Sequence, residues 1–356
     1  ILNITLGLLK ACMSLRYPKY LVLEVGADKP GDLADLLSWI KPNAVVATRF
    51  PDVPSHVQFY SSPEEVIREE LLPTLKLPRD GVLVVNNDDE RARKCGEDFE
   101  GQVLSYGLTP NALVSASREE TIYKTFDGIS YPVGIRFFVT YKENKFPFTL
   151  FGVIGSTHIY PVLAGICVAI SEGASLEKIA KSFDDHEFPR GRMAIIEGIK
   201  GTTIIDDTYN SSPVALEWAL AALNNLDTTA RKYVALGDMR ELGSYAKDEH
   251  YKAGINIAKN INPYELILVG PLSRSIAEGA MDNGYDESKI KQFDNARDAG
   301  KYLEGEIQKG DIILAKGSQN TIRMEWLVEE IMAHPESKES LLVRQEKFWK
   351  NITLVI

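Results

Sequence analysis

The sequence predicts an α/β fold in two domains, each built on a largely parallel sheet covered by helices. Three features point there. Strand-type apolar runs alternate with helix-type stretches over residues 20–97, the alternation restarts after residue 202, and a block of short alternating β segments separates the two series. A length of 356 residues suits two domains at roughly 150 residues each.

In the first series, Tyr20 to Gly26 is an apolar strand-type run ending in glycine, and Pro30-Gly31-Asp32 opens an amphipathic helix over Leu33 to Ile40. Ala44 to Thr48 is a second strand, followed by a Pro-rich loop and a charged helix over Pro63 to Leu72. Gly81 to Val85 is a third, and the polar Asn86-Asn87-Asp88-Asp89 caps the helix after it. From Val103 to Val153 the pattern predicts an antiparallel meander with a turn at Asp127-Gly128. Two helices then follow, Ile159 to Glu172 and Ser175 to Phe183, with Gly173 ending the first and Ser175 capping the second.

Phe188-Pro189-Arg190-Gly191-Arg192 breaks the pattern, so the domain boundary is expected near Phe188 to Met193. The second series has strands at Thr202 to Ile205, Tyr233 to Leu236, Leu266 to Val269 and Asp311 to Ala315. Its helices are Pro213 to Leu223, Asp248 to Lys259, Ser273 to Gly279, Ala296 to Glu306 and Met324 to Ala333. The charged residues after Pro335 read as a peripheral tail.

Composition narrows the function classes. Forty Lys and Arg against fifty Asp and Glu give a net charge of −10, which does not suit a general nucleic-acid binder. The longest apolar stretch, Ile159 to Ile170, contains a Pro and a Gly and falls short of the ~20 residues that span a bilayer, so no membrane insertion is expected. Cys12, Cys95 and Cys167 are odd in number and far apart, which points to a reducing compartment rather than a disulfide framework. The chain starts at Ile1 without methionine or a secretory signal, so it is expected to be a fragment or a processed product.

Ligands of open α/β sheets bind beyond the carboxyl ends of the strands, and four groups of polar residues fall there. Glu24, flanked by Leu23 and Val25, either holds a cation such as Mg²⁺ or caps the next helix. His56 in its Pro-Ser-His loop precedes the acidic helix of Glu64, Glu65, Glu69 and Glu70, and is either a ligand or simply solvated. Asp206 and Asp207 end a strand and lead through Asn210 into Ser212-Pro213, a pattern suited to ribose hydroxyls or phosphate-bound cations as well as to turn and cap formation. Asp238 and the Lys316-Gly317-Ser318 turn place an acid and a base on strand ends that one crevice can collect. The sequence has no GxxxxGK[ST] loop, GxGxxG, GxSxG or HExxH. On the residues alone the chemistry stops at acidic strand-end sites for a cation and a phosphorylated or carboxylate ligand.

Taken in order, LEVGADKPGD (23–32), the Pro54-Ser55-His56 loop, VVNNDD (84–89), GRM (191–193), IIDDTYNSSP (204–213), LGDMRELG (236–243) and KGSQNTIRME (316–325) resemble the Mur ligase family over nearly the whole chain. The resemblance implies a P-loop-type central domain over residues 1–189, truncated before its phosphate loop, then a Rossmann-like C-terminal domain over 190–336 and a peripheral tail over 337–356. It implies a cytoplasmic, ATP-dependent and Mg²⁺-dependent peptide ligase of cell-wall precursor synthesis. Its most similar members join D-alanyl-D-alanine to a UDP-N-acetylmuramoyl tripeptide through an acyl phosphate. By the same resemblance Glu24, His56 and Glu70 hold metal, and Arg192, Asp206, Asp207 and Asn210 meet the nucleotide. Arg192, Asp207 and Lys316 form the catalytic set, and Lys316 and Ser318 shape the site of the incoming dipeptide.

The chain departs from the family pattern in three places. The family's GxxGKT loop is absent, Glu70 stands where a carbamylated lysine is usual, and Thr157-His158-Ile159-Tyr160-Pro161 replaces the adenine-contacting His-Asn pattern. Two further readings therefore stand beside the ligase: a non-catalytic Mur-like binding module, and a ligase of the same superfamily with another acceptor, such as a folate.

Overall fold

The structure, a computed structural model, describes residues 18–183, 186–319 and 322–350. The carboxyl end of the expected tail, 351–356, and Cys12 lie outside the described residues.

Two sheets organise the chain. The first contains β1 (Ala44–Ala47), β2 (Val82–Asn86), β3 (Gln102–Gly107), β4 (Val114–Ala116), β5 (Glu120–Phe126), β6 (Ile129–Tyr141) and β7 (Asn144–Phe151), in the order β1-β2-β3-β4-β6-β5 with β7 also on β6. Strands β1 to β4 run parallel, and β4, β6, β5 and β7 pair antiparallel. The expected meander therefore begins later than the sequence suggested. Gln102–Gly107 joins the parallel set because its alternate residues Leu104 and Tyr106 bury against the helix Ile159–Ser171 side of the sheet. At the β5–β6 turn Asp127 (φ 50°) and Gly128 (φ 75°) are both left-handed, the conformation that matches a two-residue hairpin to the strand twist.

One expected strand is corrected. Tyr20 to Gly26 enters no sheet, and Leu21, Val22 and Leu23 are 70%, 90% and 46% exposed. An apolar run becomes a strand only where a neighbour supplies a ladder, and β1 has hydrogen-bonded pairing with β2 alone among the described strands.

The second sheet contains β8 (Ala194–Gly198), β9 (Thr202–Asp207), β10 (Lys232–Gly237), β11 (Glu265–Val269), β12 (Ile290–Phe293) and β13 (Ile312–Lys316), ordered β12-β11-β10-β13-β9-β8. All are parallel except β8, which is antiparallel to β9. The edge strands β8 and β12 were not foreseen, being short and only half buried. Successive residues of the central strands alternate between two cores. In β10, Val234 and Leu236 face the helices Pro213–Asn224 and Ala246–Asn256, while Tyr233 and Ala235 face the helices Ala296–Glu306 and Glu325–Ile331. Fully burying each such side chain contributes about 1.5–3 kcal/mol, so these two layers supply most of the stability.

The chain passes from one sheet to the other between Lys181 and Ala194. The passage is stitched by backbone: Ile154 N–H donates to Met193 O (3.2 Å) and Ile195 N–H to Gly152 O (2.8 Å). The apolar core is continuous across it, since Val153, Ile159, Met193, Leu216 and Leu220 belong to one cluster.

Two corrections concern the carboxyl end. The helix Met324 to Ala333 is shorter, Glu325–Ile331. The segment expected to be a peripheral tail buries Leu342, Val343 and Arg344, which are 0%, 7% and 7% exposed. Its burial follows from a partner the sequence pattern did not show, the carboxylate of Glu325, which is itself fully buried.

Helices Ala246–Asn256 and Arg274–Met281 touch backbone to backbone through Gly254 and Gly279. A Cβ on Gly254 meets Ile276 O and lies 2.7 Å from Ala280 N. Gly254→Ala is therefore expected to lower stability by roughly 1–3 kcal/mol through forced separation of the helices, read as a shift in the urea midpoint at unchanged slope.

Candidate active site at the junction of the two sheets

The carboxyl ends of β9, β10 and β13 bring together the residues singled out by the sequence. Asp207 ends β9 and pairs in register with Lys316 at the end of β13. Lys316 Nζ donates to Asp207 Oδ2 (2.6 Å) and to Asn210 O (2.9 Å), with the lysine side chain 2% exposed. Met193 N–H donates to the other carboxylate oxygen at 3.2 Å. Asp207 thus ties three segments: its own strand, the β13 end and the interdomain passage.

Ser318 performs a similar junction role with a hydroxyl. Its Oγ donates to Ser211 O (3.1 Å) and accepts from Arg240 N–H (2.9 Å), and its N–H donates to Asp238 O (3.1 Å). Ser212 caps the helix Pro213–Asn224 through Ala215 N–H, with Pro213 at its first position. Asn210 Oδ1 accepts from Ser211 N–H at 2.8 Å, which turns the chain into that cap.

Asp206 behaves differently from its neighbour. It is fully buried, and its Oδ1 accepts from Thr208 N–H (3.1 Å) and Thr208 Oγ1 (2.6 Å). Its Oδ2 has no hydrogen-bond partner among the described residues. Burial pushes its carboxyl up to about 7, against the two Thr208 hydrogen bonds, and Asp207 and Glu325 add to the rise. Asp238 is also buried, with Oδ1 accepting from Ser273 N–H (2.9 Å), Oδ2 without a partner among the described residues, and its carboxyl raised by burial to about 6.

Arg192 projects outward from the passage. Its guanidinium lies 4.2 Å from the centre of the Tyr209 ring, and Tyr209 N–H donates to Gly191 O at 3.0 Å. Behind it sits His158, 8% exposed, hydrogen-bonded to the Arg192 backbone and driven by burial down to about 4, hence neutral. The ring stacks edge-on to Phe188 at 5.0 Å. Nearby, Arg49 lies 4.5 Å over the Trp218 ring, Trp218 stacks on Tyr160 at 5.2 Å, and Tyr160 Oη donates to Asp88 Oδ2 at 3.1 Å. That column links the ends of β1 and β2 to the helix Pro213–Asn224 of the other sheet.

Of the three expected metal ligands, His56 and Glu70 lie near each other. His56, with left-handed backbone (φ 65°), places Nδ1 3.0 Å from Glu241 Oε2 and Nε2 3.4 Å from Asp28 Oδ1. Glu70 is half-buried near His56, and burial raises its carboxyl. Glu24 is exposed on the segment that enters no sheet among the described strands. No group of three or more His, Cys, Asp or Glu side chains among the described residues is placed to hold a metal ion. The helix that carries Glu70 also carries Glu69, whose carboxylate accepts from Gly31 N–H (2.9 Å) and Leu33 N–H (3.1 Å).

Sequence reasoning missed three participants. Glu241 lies inside the quoted LGDMRELG run, and its left-handed backbone (φ 67°) aims it at His56. Glu325 and Arg344 form a buried pair behind the β9 loop. An acid and a base nineteen residues apart carry no local signal.

Because Asp206 holds its proton to about pH 7 in the folded chain and gives it up near 4 when unfolded, the folded state binds the extra proton between those values. Stability from this group is present at acid pH and is lost as pH rises through 7. Asp206→Asn removes that loss, so the melting temperature of the variant relative to the parent should rise by roughly 3 °C or more between pH 5 and pH 8. A difference that stays constant across that range contradicts the assignment.

Comparison with known proteins agrees with this architecture. Residues 2–169 match the Mur ligase middle domain and residues 191–319 match the Mur ligase, glutamate ligase domain. The UDP-N-acetylmuramoyl-tripeptide--D-alanyl-D-alanine ligase of Bacillus subtilis is 26% identical over 317 residues, which are 89% of this chain and 65% of the relative. The enzyme of the same name from Mycobacterium tuberculosis is 27% identical over 328 residues, covering 85% and 61%. The chain thus spans rather under two thirds of the length of these relatives. Among solved structures, MurF ligase from Thermotoga maritima in complex with ADP superposes with a TM-score of 0.74 at 22% identity, covering 93% of this chain and 71% of that one. MurF from Acinetobacter baumannii gives 0.73 at 22% identity over 88% and 64%. With the two domain matches in chain order and the fold shared throughout, the chain belongs to the Mur ligase family and carries its middle and C-terminal domains.

Proposed function

We propose that this chain is the larger part of an ATP-dependent peptide ligase that joins D-alanyl-D-alanine to a UDP-N-acetylmuramoyl tripeptide in the cytoplasm. The observation that carries the reading is Arg192: an exposed guanidinium, stacked on Tyr209, at the point where the two sheets meet and the β9, β10 and β13 loops converge. Such a planar cation suits phosphate oxygens.

In the proposed reaction the γ-phosphoryl group of ATP passes to the peptide carboxylate, giving an acyl phosphate and ADP. The amine of the dipeptide then attacks the acyl carbon, phosphate leaves, and the amine gives up a proton. Charge builds on phosphate oxygens in the first step and on the acyl oxygen in the second, and preorganised donors lower both barriers. Arg192 faces the phosphates. Asp206, Asp207 and Asn210 shape the nucleotide side, and burial raises the Asp206 carboxyl to about 7, which lessens its negative charge near neutral pH. Lys316 donates to Asp207 and to the Asn210 carbonyl, and Ser318 to the Ser211 carbonyl, so both fix the loops that line the dipeptide side. Magnesium would offset phosphate charge in this chemistry, with His56, Glu70 and Glu24 the residues that would hold it. Closure of one sheet body on the other would exclude water from the acyl phosphate.

A second reading, a Mur-type binding module without turnover, draws support from Glu70, which stands where the family resemblance expects a carbamylated lysine. One experiment separates the two. Full-length protein given ATP, magnesium, UDP-N-acetylmuramoyl tripeptide and D-alanyl-D-alanine should release phosphate only when all four are present, and absence of release favours the binding module. Arg192→Ala should then lower kcat/KM by about 100-fold, an amount usual for a lost transition-state contact, with little change in melting temperature. Parallel losses of activity and stability remove Arg192 from that role.

A further inference from the structure

The buried carboxyl-terminal segment makes contacts that the fold alone does not require. Arg344 has left-handed backbone (φ 57°), and its side chain is 4% exposed. The guanidinium grips Glu325 from two sides, Nε to Oε1 at 2.9 Å and Nη2 to Oε2 at 2.6 Å. Glu325 also accepts from Arg323 Nε, so one carboxylate faces two guanidiniums and is fully compensated. The remaining donors of Arg344 go forward: Nη1 donates to Tyr209 O at 2.9 Å and Nη2 to Thr208 O.

Those two carbonyls belong to the β9 loop directly after Asp206 and Asp207. Tyr209 carries the ring beneath Arg192, and its N–H is held by Gly191 O. Gly191 in turn is closed in from the other side: it is left-handed (φ 66°), and a Cβ there would lie 2.7 Å from Val343 Cγ1 and 2.9 Å from Tyr209 N. Val343 and Arg344 therefore press on both residues that set the direction of Arg192. A buried ion cluster gains little for stability over an apolar filling of the same volume, so a guanidinium spent on two loop carbonyls marks a positional role.

We propose that Arg344 is a positioning residue: through the Thr208 and Tyr209 carbonyls it fixes the platform on which Arg192 stacks, and so sets the phosphate-facing geometry of the site. This rests on the ligase reading for its chemical consequence, though not for the latch itself. Arginine is needed because only its fork reaches a carboxylate and two carbonyls at once, whereas lysine offers one centre.

Two measurements on the full-length protein test it. Removal of the side chain risks misfolding by stranding Glu325, so Arg344→Lys, which keeps a charge beside that carboxylate, is the working variant, and Tyr209→Leu, which removes the ring and leaves the latch, is its companion. Amide hydrogen exchange should speed up at Tyr209 by ten-fold or more in Arg344→Lys while amides of β10 keep the parent rate. In steady-state phosphate release, both variants should raise KM for ATP or lower kcat/KM for ATP by ten-fold or more, with the KM for D-alanyl-D-alanine little changed. Unchanged exchange at Tyr209, or a rise shared equally by β10, overturns the latch. A folded Arg344→Lys protein with parental ATP kinetics overturns the positioning role, and a parent that releases no phosphate while the exchange pattern holds overturns the ligase reading alone.

Discussion

The buried pair of Lys316 and Asp207 is the interaction on which the rest depends. Two charges at the ends of adjacent parallel strands are withdrawn from water, the lysine almost entirely, and such withdrawal costs several kcal/mol per ion unless geometry and further hydrogen bonds offset it. Here the offset comes from Met193 N–H on the aspartate and the Asn210 carbonyl on the lysine. Each of those partners lies on a different segment, so satisfying the charges obliges the interdomain passage, the β9 loop and the β13 end to occupy one arrangement. The surrounding polar groups then fall into place: Ser318 bridges to the Ser211 and Arg240 backbone, and Ser212 caps the next helix.

Outward from that pair the charges are layered. Asp206 and Asp238 are buried acids whose carboxyls burial raises to about 7 and about 6, His158 is kept uncharged, and Arg192 is an exposed guanidinium at the junction. An anion approaching the junction meets the Arg192 guanidinium first, with the Lys316–Asp207 pair buried behind it. The column of Arg49, Trp218, Tyr160 and Asp88 and the contact of His56 with Glu241 bind the first sheet to the second on the same side.

Much of this was legible in the sequence, for physical reasons. Strands β9, β10, β11 and β13 are buried on both faces, so they read as uninterrupted apolar runs and their ends were placed to within about two residues. Polar residues abruptly following such runs, Asp206 to Asn210, Asp238 and Lys316 to Ser318, mark strand ends, and the structure brings them together. Illegible were the features that depend on a distant partner. The apolar run at Tyr20 to Gly26 has the composition of a strand but no ladder, and β8 and β12 are half-exposed edges whose pattern is weak. His56 meets Asp28 and Glu241, and Glu241 stands 185 residues further along the chain, where no local pattern announces the contact. The expected tail looked solvated because Arg344 is charged, yet its charge is what buries it, through Glu325.

The most direct measurement of the central claim is a double-mutant cycle on Asp207 and Lys316, using Asp207→Asn, Lys316→Met and the pair, followed by urea unfolding. Each single change strands a buried partner and should lower stability by about 3–5 kcal/mol, while the double change should cost no more than either single, giving a coupling of roughly 3 kcal/mol at unchanged slope. Additive losses would mean that the two charges are stabilised separately, and that the junction is organised by something other than this pair.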